Sequence, residues 1–81
     1  WGLILAEVQP ARASALAAAA KEAAYSRVVC GVHYQSDIDA GEKLGAAMVA
    51  RLHADPAFRA DLAKARLELA RAPAPGGCGV Y

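Results

Sequence analysis

The chain has 81 residues and a formal net charge of +1, from nine Lys and Arg against eight Asp and Glu. The basic residues are spread among acidic ones, which argues against nucleic acid as the main partner, because such modules have a clustered basic face. No apolar run approaches the ~20 residues of a membrane-spanning helix, and the apolar residues 1–6 lack the charged start of a signal peptide.

Four helices are predicted, and no stretch alternates long enough to form a strand. The first covers residues 1–9, with apolar side chains around most of its circumference, and ends at Pro10. The second runs from residue 10 or 11 to residue 29, where alanines supply the highest helix propensity, and it ends at Gly31.

The third helix is predicted to begin near Ser36, because Ser36 with Asp39 three residues later is close to a capping box. Leu44, Met48 and Leu52 then recur at helical spacing and form its apolar stripe. We expect this stripe to pack in a core. Gly41, Gly45 and Val49 fall four residues apart on another face, where a second helix could approach closely.

The fourth helix has the clearest start signal, since Asp55 is a favourable N-cap and Pro56 fits the first helical position. It is predicted to continue to about residue 72, and the Pro- and Gly-rich residues 73–81 form an irregular tail. The fold class is therefore all-α, in an antiparallel arrangement. Because alanine methyls bury little area, we expect a missing partner segment to complete the core.

The connection between the second and third helices concentrates reactive side chains. Arg27 and His33 lie six residues apart, which is roughly 240° around a continuous helix, but a helix that ends at Gly31 allows both to approach one pocket. Asp37 follows His33 by four residues, within reach of one imidazole nitrogen. Such a carboxylate leaves the other nitrogen free to attack an electrophile, and an arginine beside it suits phosphate oxygens. The pattern predicts phosphoryl transfer through a phosphohistidine.

Residues 26–37, SRVVCGVHYQSD, fit the signature SRxxxxxHxxxD of the type 2 phosphatidic acid phosphatase and vanadium haloperoxidase superfamily. Together with LAEVQP at residues 5–10 and ARLHADPAFRADLAKA at residues 50–65, they resemble the C-terminal portion of the bacterial class A non-specific acid phosphatases. The resemblance covers roughly residues 1–72, which are expected to be the C-terminal helical part of an acid phosphatase domain, within a larger helical bundle.

The resemblance implies a role for each signature residue. His33 is the phosphate-accepting nucleophile, Asp37 is the carboxylate that orients it, and Arg27 binds phosphate, with Ser26 as a supporting residue. Tyr34, next to the nucleophile, is a candidate substrate contact. The implied enzyme hydrolyses phosphate monoesters at acidic pH, needs no metal or other cofactor, and is periplasmic or secreted.

The family's two upstream signatures, KxxxxxxRP and PSGH, do not occur in this sequence. We therefore expect this chain to be inactive alone and to need the N-terminal portion of the same enzyme, which carries the acid that protonates the leaving group. Phosphate and vanadate are the expected inhibitors. A homo-oligomer is compatible with the sequence, whereas nucleic acid and membrane are not expected partners.

Three other interpretations stay open. The Ala- and Gly-rich helices fit a non-catalytic module that packs against another chain, and vanadate in the same pocket would make a haloperoxidase. The chain has the two cysteines and two histidines that a zinc site requires, which are Cys30, His33, His53 and Cys78. We expect His53 instead to cap the third helix. In a periplasmic protein Cys30 and Cys78 are also candidates for a disulfide.

Overall fold

A computed structural model describes residues 1–74 and 76 of the chain. It contains four α-helices, α1 (Gly2–Val8), α2 (Ala13–Val29), α3 (Gln35–Leu52) and α4 (Pro56–Arg71). A 3₁₀ turn, Pro10–Arg12, joins α1 to α2. The described residues include no strand, so the all-α prediction is confirmed.

The start of α4 and the end of α2 agree with the sequence prediction, and the other helix bounds differ from it by one to three residues. Asp55 is the N-cap of α4, its Oδ1 accepts the Ala57 amide at 2.9 Å, and Pro56 occupies the first helical position. The helix ends at Arg71. Most of the predicted tail, including Cys78, lies outside the described residues.

The capping of α3 corrects the sequence prediction. The helix begins at Gln35 rather than at Ser36, and its N-cap is Tyr34. The capping carboxylate is Asp37, whose Oδ2 accepts the Tyr34 amide at 2.7 Å. The carboxylate of Asp39 accepts instead from the Gln35 side chain at 2.9 Å. Because the N-cap is Tyr34 rather than Ser36, the third helical position, which supplies the capping carboxylate, is Asp37 rather than Asp39.

Helix α1 packs against each of the other three helices and so forms the centre of the arrangement. Its contact with α2 is close, since a Cβ built on Gly2 would lie 2.6 Å from the Ala20 Cβ. Val8, at the end of α1, is the only buried apolar residue among those described.

Two faces of α3 are expected to pack, and only one of them is partly covered. Leu44 and Met48 are 62% and 57% exposed, whereas Ile38 and Val49 on another face are half-buried. The half-buried face is adjacent to the stripe, about 80° further around the helix, and it is the face that Gly45 and Val49 share. More than half of the surface of Leu44 and of Met48 is exposed, so they do not form part of a buried core among the described residues.

The dimensions of the chain agree with this thin core. The principal extents are 41 × 39 × 17 Å, and one helix with its side chains is about 10–12 Å across. The radius of gyration is 15.1 Å. A compact domain of this length has a radius of gyration of about 12 Å. Among the described residues, no helix combines the length and apolar character that crossing a bilayer requires.

Candidate active site

The turn between α2 and α3 is a Schellman motif centred on Gly31. Its φ of +74° is a left-handed conformation that glycine adopts at little cost. The Val32 amide donates to the Arg27 carbonyl at 3.1 Å, and the Gly31 amide donates to the Val28 carbonyl at 2.9 Å. The His33 amide also donates to the Arg27 carbonyl, at 3.2 Å. The turn therefore joins the backbones of the two predicted site residues directly.

The His33 imidazole and the Asp37 carboxylate form the hydrogen bond expected from their spacing. His33 Nδ1 and Asp37 Oδ1 lie 2.7 Å apart. The other carboxylate oxygen accepts the Tyr34 amide, so both oxygens of Asp37 are engaged. The Tyr34 amide, and secondly the hydrogen bond from His33, hold the pKa of Asp37 below its ordinary value of 3.8.

The ionised carboxylate determines which imidazole nitrogen is free. A carboxylate only accepts hydrogen bonds, so Nδ1 of His33 must carry the proton and donate it to Asp37. Nε2 is then left with its lone pair when the ring is neutral. The side chains of His33 and Asp37 are 51% and 46% exposed, so Nε2 belongs to an accessible imidazole. This arrangement suits either nucleophilic attack or proton transfer.

The Arg27 side chain contacts other residues than this pair. Its Nε donates to Ser26 Oγ at 3.2 Å, and its Nη2 donates to Cys30 Sγ at 3.8 Å. Among the described residues, the guanidinium forms no hydrogen bond or ion pair with His33 or Asp37. The backbones of Arg27 and His33 are thus joined by a hydrogen bond, whereas binding of one anion by both side chains stays a prediction.

The remaining candidates have open surroundings. The Tyr34 side chain is 79% exposed beside His33, so its role as a substrate contact stays a prediction. Cys30 is exposed and forms no disulfide with a described residue, and its pairing with Cys78 falls outside the described part. Within residues 1–74 and 76, no three His, Cys, Asp or Glu side chains come close enough to hold a metal ion.

His53 has a role that the sequence reasoning missed. It occupies the C-cap of α3 as expected, but its Nε2 lies 2.9 Å from Glu7 Oε1 on α1. Its ring also meets Phe58 of α4 edge to face, with centroids 5.4 Å apart, and Arg59 donates to its carbonyl. His53 therefore links three helices. The available signal was that Glu7 is the only charged residue in an otherwise apolar helix.

Several curated proteins are similar to this chain. The non-specific acid phosphatase of Salmonella typhimurium is 52% identical over 67 residues, which are 83% of this chain and 27% of that protein. The non-specific acid phosphatase of Providencia stuartii is 39% identical over 69 residues, or 85% of this chain and 28% of that protein. The acid phosphatase of Zymomonas mobilis is 41% identical over 70 residues, or 86% of this chain and 26% of that protein.

The chain spans only about a quarter of the length of these relatives. No family model and no solved structure matches it. The similarity therefore connects this chain with proteins named acid phosphatases, through a part of their sequence.

Proposed function

We propose that this chain is part of an acid phosphatase that hydrolyses phosphate monoesters through a phosphohistidine on His33. The observation that carries the proposal is the 2.7 Å hydrogen bond between His33 Nδ1 and Asp37 Oδ1, which leaves Nε2 available as a nucleophile. The acid phosphatase names of the relatives support the reaction class.

In the proposed first step, the lone pair of His33 Nε2 attacks phosphorus and the ester P–O bond breaks. The leaving oxygen takes a proton from an acid that another part of the parent protein supplies. The imidazole gains positive character as the N–P bond forms, and the Asp37 carboxylate stabilises that charge through Nδ1–H. In the second step, the same acid, now deprotonated, takes a proton from water as the water oxygen attacks phosphorus; the N–P bond breaks, and phosphate and neutral imidazole are released.

Arg27 would bind the phosphoryl oxygens in both steps. A guanidinium is always charged and presents planar N–H donors that match phosphate, so it stabilises the charge that develops in the transition state. The short connection from the Arg27 carbonyl to the His33 amide, 3.2 Å, keeps the two residues on one rigid turn. Positioning of this kind lowers the entropy cost of bringing the reacting groups together.

The rest of the parent protein would cover the exposed apolar faces of this chain. The accessible surface is 6511 Å². A compact monomer of this mass exposes about 4,600 Å². Leu44, Met48 and Val29 are each more than half exposed, and the chain spans only about a quarter of its relatives. We therefore expect negligible phosphatase activity from this chain alone, because most of the anion-binding groups and the leaving-group acid would be absent.

The test is phosphatase activity of the complete parent protein against p-nitrophenyl phosphate. His33→Ala should lower kcat by about 10³-fold or more, since it removes the nucleophile. Asp37→Asn should lower kcat by about 10²–10⁴-fold, since the amide no longer enforces the correct tautomer. A phosphoenzyme trapped by rapid quenching should be stable in alkali and labile in acid, as a phosphohistidine is, and should be missing from His33→Ala.

The other histidine of the chain provides the matched control. His53→Gln removes an imidazole that contacts Glu7 rather than the proposed site, so kcat should change little in the folded variant. Retention of near-normal kcat by His33→Ala, or an alkali-labile phosphoenzyme, would refute the proposed mechanism.

A further inference from the structure

The guanidinium of Arg27 is held along one of its edges. Nε donates to Ser26 Oγ at 3.2 Å, and Nη2 donates to Cys30 Sγ at 3.8 Å. Ser26 Oγ is itself fixed, because its hydroxyl donates to the Ala23 carbonyl at 2.6 Å. These contacts lie within the last turn of α2 and its C-cap, where the backbone is set by the Schellman motif.

The two contacts leave a defined part of the guanidinium free. Arginine has five N–H donors, one on Nε and two on each terminal nitrogen. Ser26 and Cys30 occupy the Nε–Nη2 edge. The Nη1–Nη2 edge keeps one N–H on each nitrogen, and these two parallel donors match two oxygens of a phosphate. No carboxylate among the described residues pairs with this edge.

We propose that Ser26 and Cys30 are positioning residues, which hold the Arg27 guanidinium so that it receives phosphate on its Nη1–Nη2 edge. This inference rests on the proposed phosphatase function and adds which residues orient the phosphate-binding arginine and through which atoms. A held guanidinium has already lost side-chain freedom before phosphate arrives, so binding costs less entropy.

The contacts also explain why the two positions carry a hydroxyl and a thiol. Each must supply an acceptor to an always-charged donor while remaining uncharged, since a carboxylate there would neutralise Arg27 and repel phosphate. The Ser26 hydroxyl can donate to Ala23 and accept from Arg27 at once, as observed. The Cys30 sulfur is a weaker acceptor, which fits its longer distance of 3.8 Å.

The test uses the complete parent protein under reducing conditions, with Ser26→Ala, Cys30→Ala and Cys30→Ser. Both alanine variants should raise KM for p-nitrophenyl phosphate and the inhibition constant of inorganic phosphate by about three- to ten-fold. Cys30→Ser retains an acceptor and should restore part of the affinity. Ser14→Ala, on an exposed position of the same helix, is the matched control and should leave both constants unchanged.

A double-variant comparison separates positioning from a general structural effect. Lysine lacks Nε–H and Nη2, so in an Arg27→Lys background neither Ser26→Ala nor Cys30→Ala should weaken phosphate binding further. Equal losses in both backgrounds would overturn the proposal, because the two residues would then act independently of Arg27. Unchanged constants in the single variants would overturn it as well.

A direct measurement on the side chain distinguishes failure of this inference from failure of the proposed function. In NMR spectra of the complete protein, the Arg27 Nε–H should exchange slowly with water, and Ser26→Ala should accelerate that exchange by about ten-fold. Slow exchange of the Arg27 Nε–H without phosphatase turnover would refute the proposed function and still support the contact between Arg27 and Ser26. Phosphatase turnover with fast exchange of the Arg27 Nε–H would refute only the inference that Ser26 positions Arg27.

Discussion

Gly31→Ala should destabilise the chain through backbone conformation alone. At φ +74° an L-residue is strained by about 1–2 kcal/mol, and the lower unfolded-state entropy of alanine returns about 0.4–1 kcal/mol. Nothing lies within 4 Å of a Cβ built at Gly31, so no steric clash adds to this. We therefore expect a net loss of about 1 kcal/mol in the free energy of unfolding.

Gly45→Ala is the matched control with the opposite sign. A Cβ at Gly45 also meets nothing within 4 Å, but this glycine lies inside α3, where alanine is favoured by about 1 kcal/mol. The two variants should therefore differ by roughly 2 kcal/mol. Urea unfolding of this chain, followed by far-UV circular dichroism, measures the difference.

The sign of each change decides the outcome. A Gly31→Ala variant as stable as the wild type would refute the argument that the Schellman turn depends on a left-handed residue. If Gly45→Ala stabilises this chain but destabilises the complete parent protein, a segment of that protein packs closely on this face of α3. If Gly45→Ala stabilises both this chain and the complete parent protein, no segment packs closely on this face of α3.

Three further predictions concern other contacts. Glu7→Gln and His53→Gln should show a coupling of about 1 kcal/mol in a double-mutant cycle, because their bond is half-buried; additive losses would contradict it. Gly2→Ala should destabilise by about 1–3 kcal/mol, since its Cβ would lie 2.6 Å from that of Ala20; an unchanged unfolding midpoint would argue against this close packing. The Asp37 carboxyl should titrate below 3.8 by carbon NMR. The stabilisation of the folded chain by the ionised carboxylate is therefore complete above the unfolded-state pKa and is lost as the pH falls through the folded-state pKa. A titration midpoint of Asp37 above 3.8 would count against both of its hydrogen bonds.

The helices could be predicted because their ends depend on nearby residues. Asp55 and Pro56 start α4, and Gly31 ends α2, through interactions that span only a few positions. Which of the two candidate faces of α3 is covered could not be predicted in the same way. Leu44 and Met48 have the helical spacing of a core stripe, but the face that is covered depends on where α1 lies.

The contacts of the candidate site differ in the same way, since those between nearby residues could be predicted and those between distant residues could not. The hydrogen bond between His33 and Asp37 joins residues four apart, so spacing alone predicts it. The contact between Glu7 and His53 joins residues 46 positions apart, so it depends on how α1 packs against the end of α3. The contacts of Arg27 were missed for a different reason, since a guanidinium has several acceptors within reach and spacing does not choose among them.

The two helix ends account physically for the spacing of the whole motif. The Schellman turn fixes the distance from Arg27 to His33, because the Arg27 carbonyl must receive amides from the residues that follow Gly31. The cap of α3 fixes the distance from His33 to Asp37, because one oxygen of Asp37 must reach the Tyr34 amide while the other reaches the imidazole. An insertion or deletion at either end would break a helix terminus and the proposed site together.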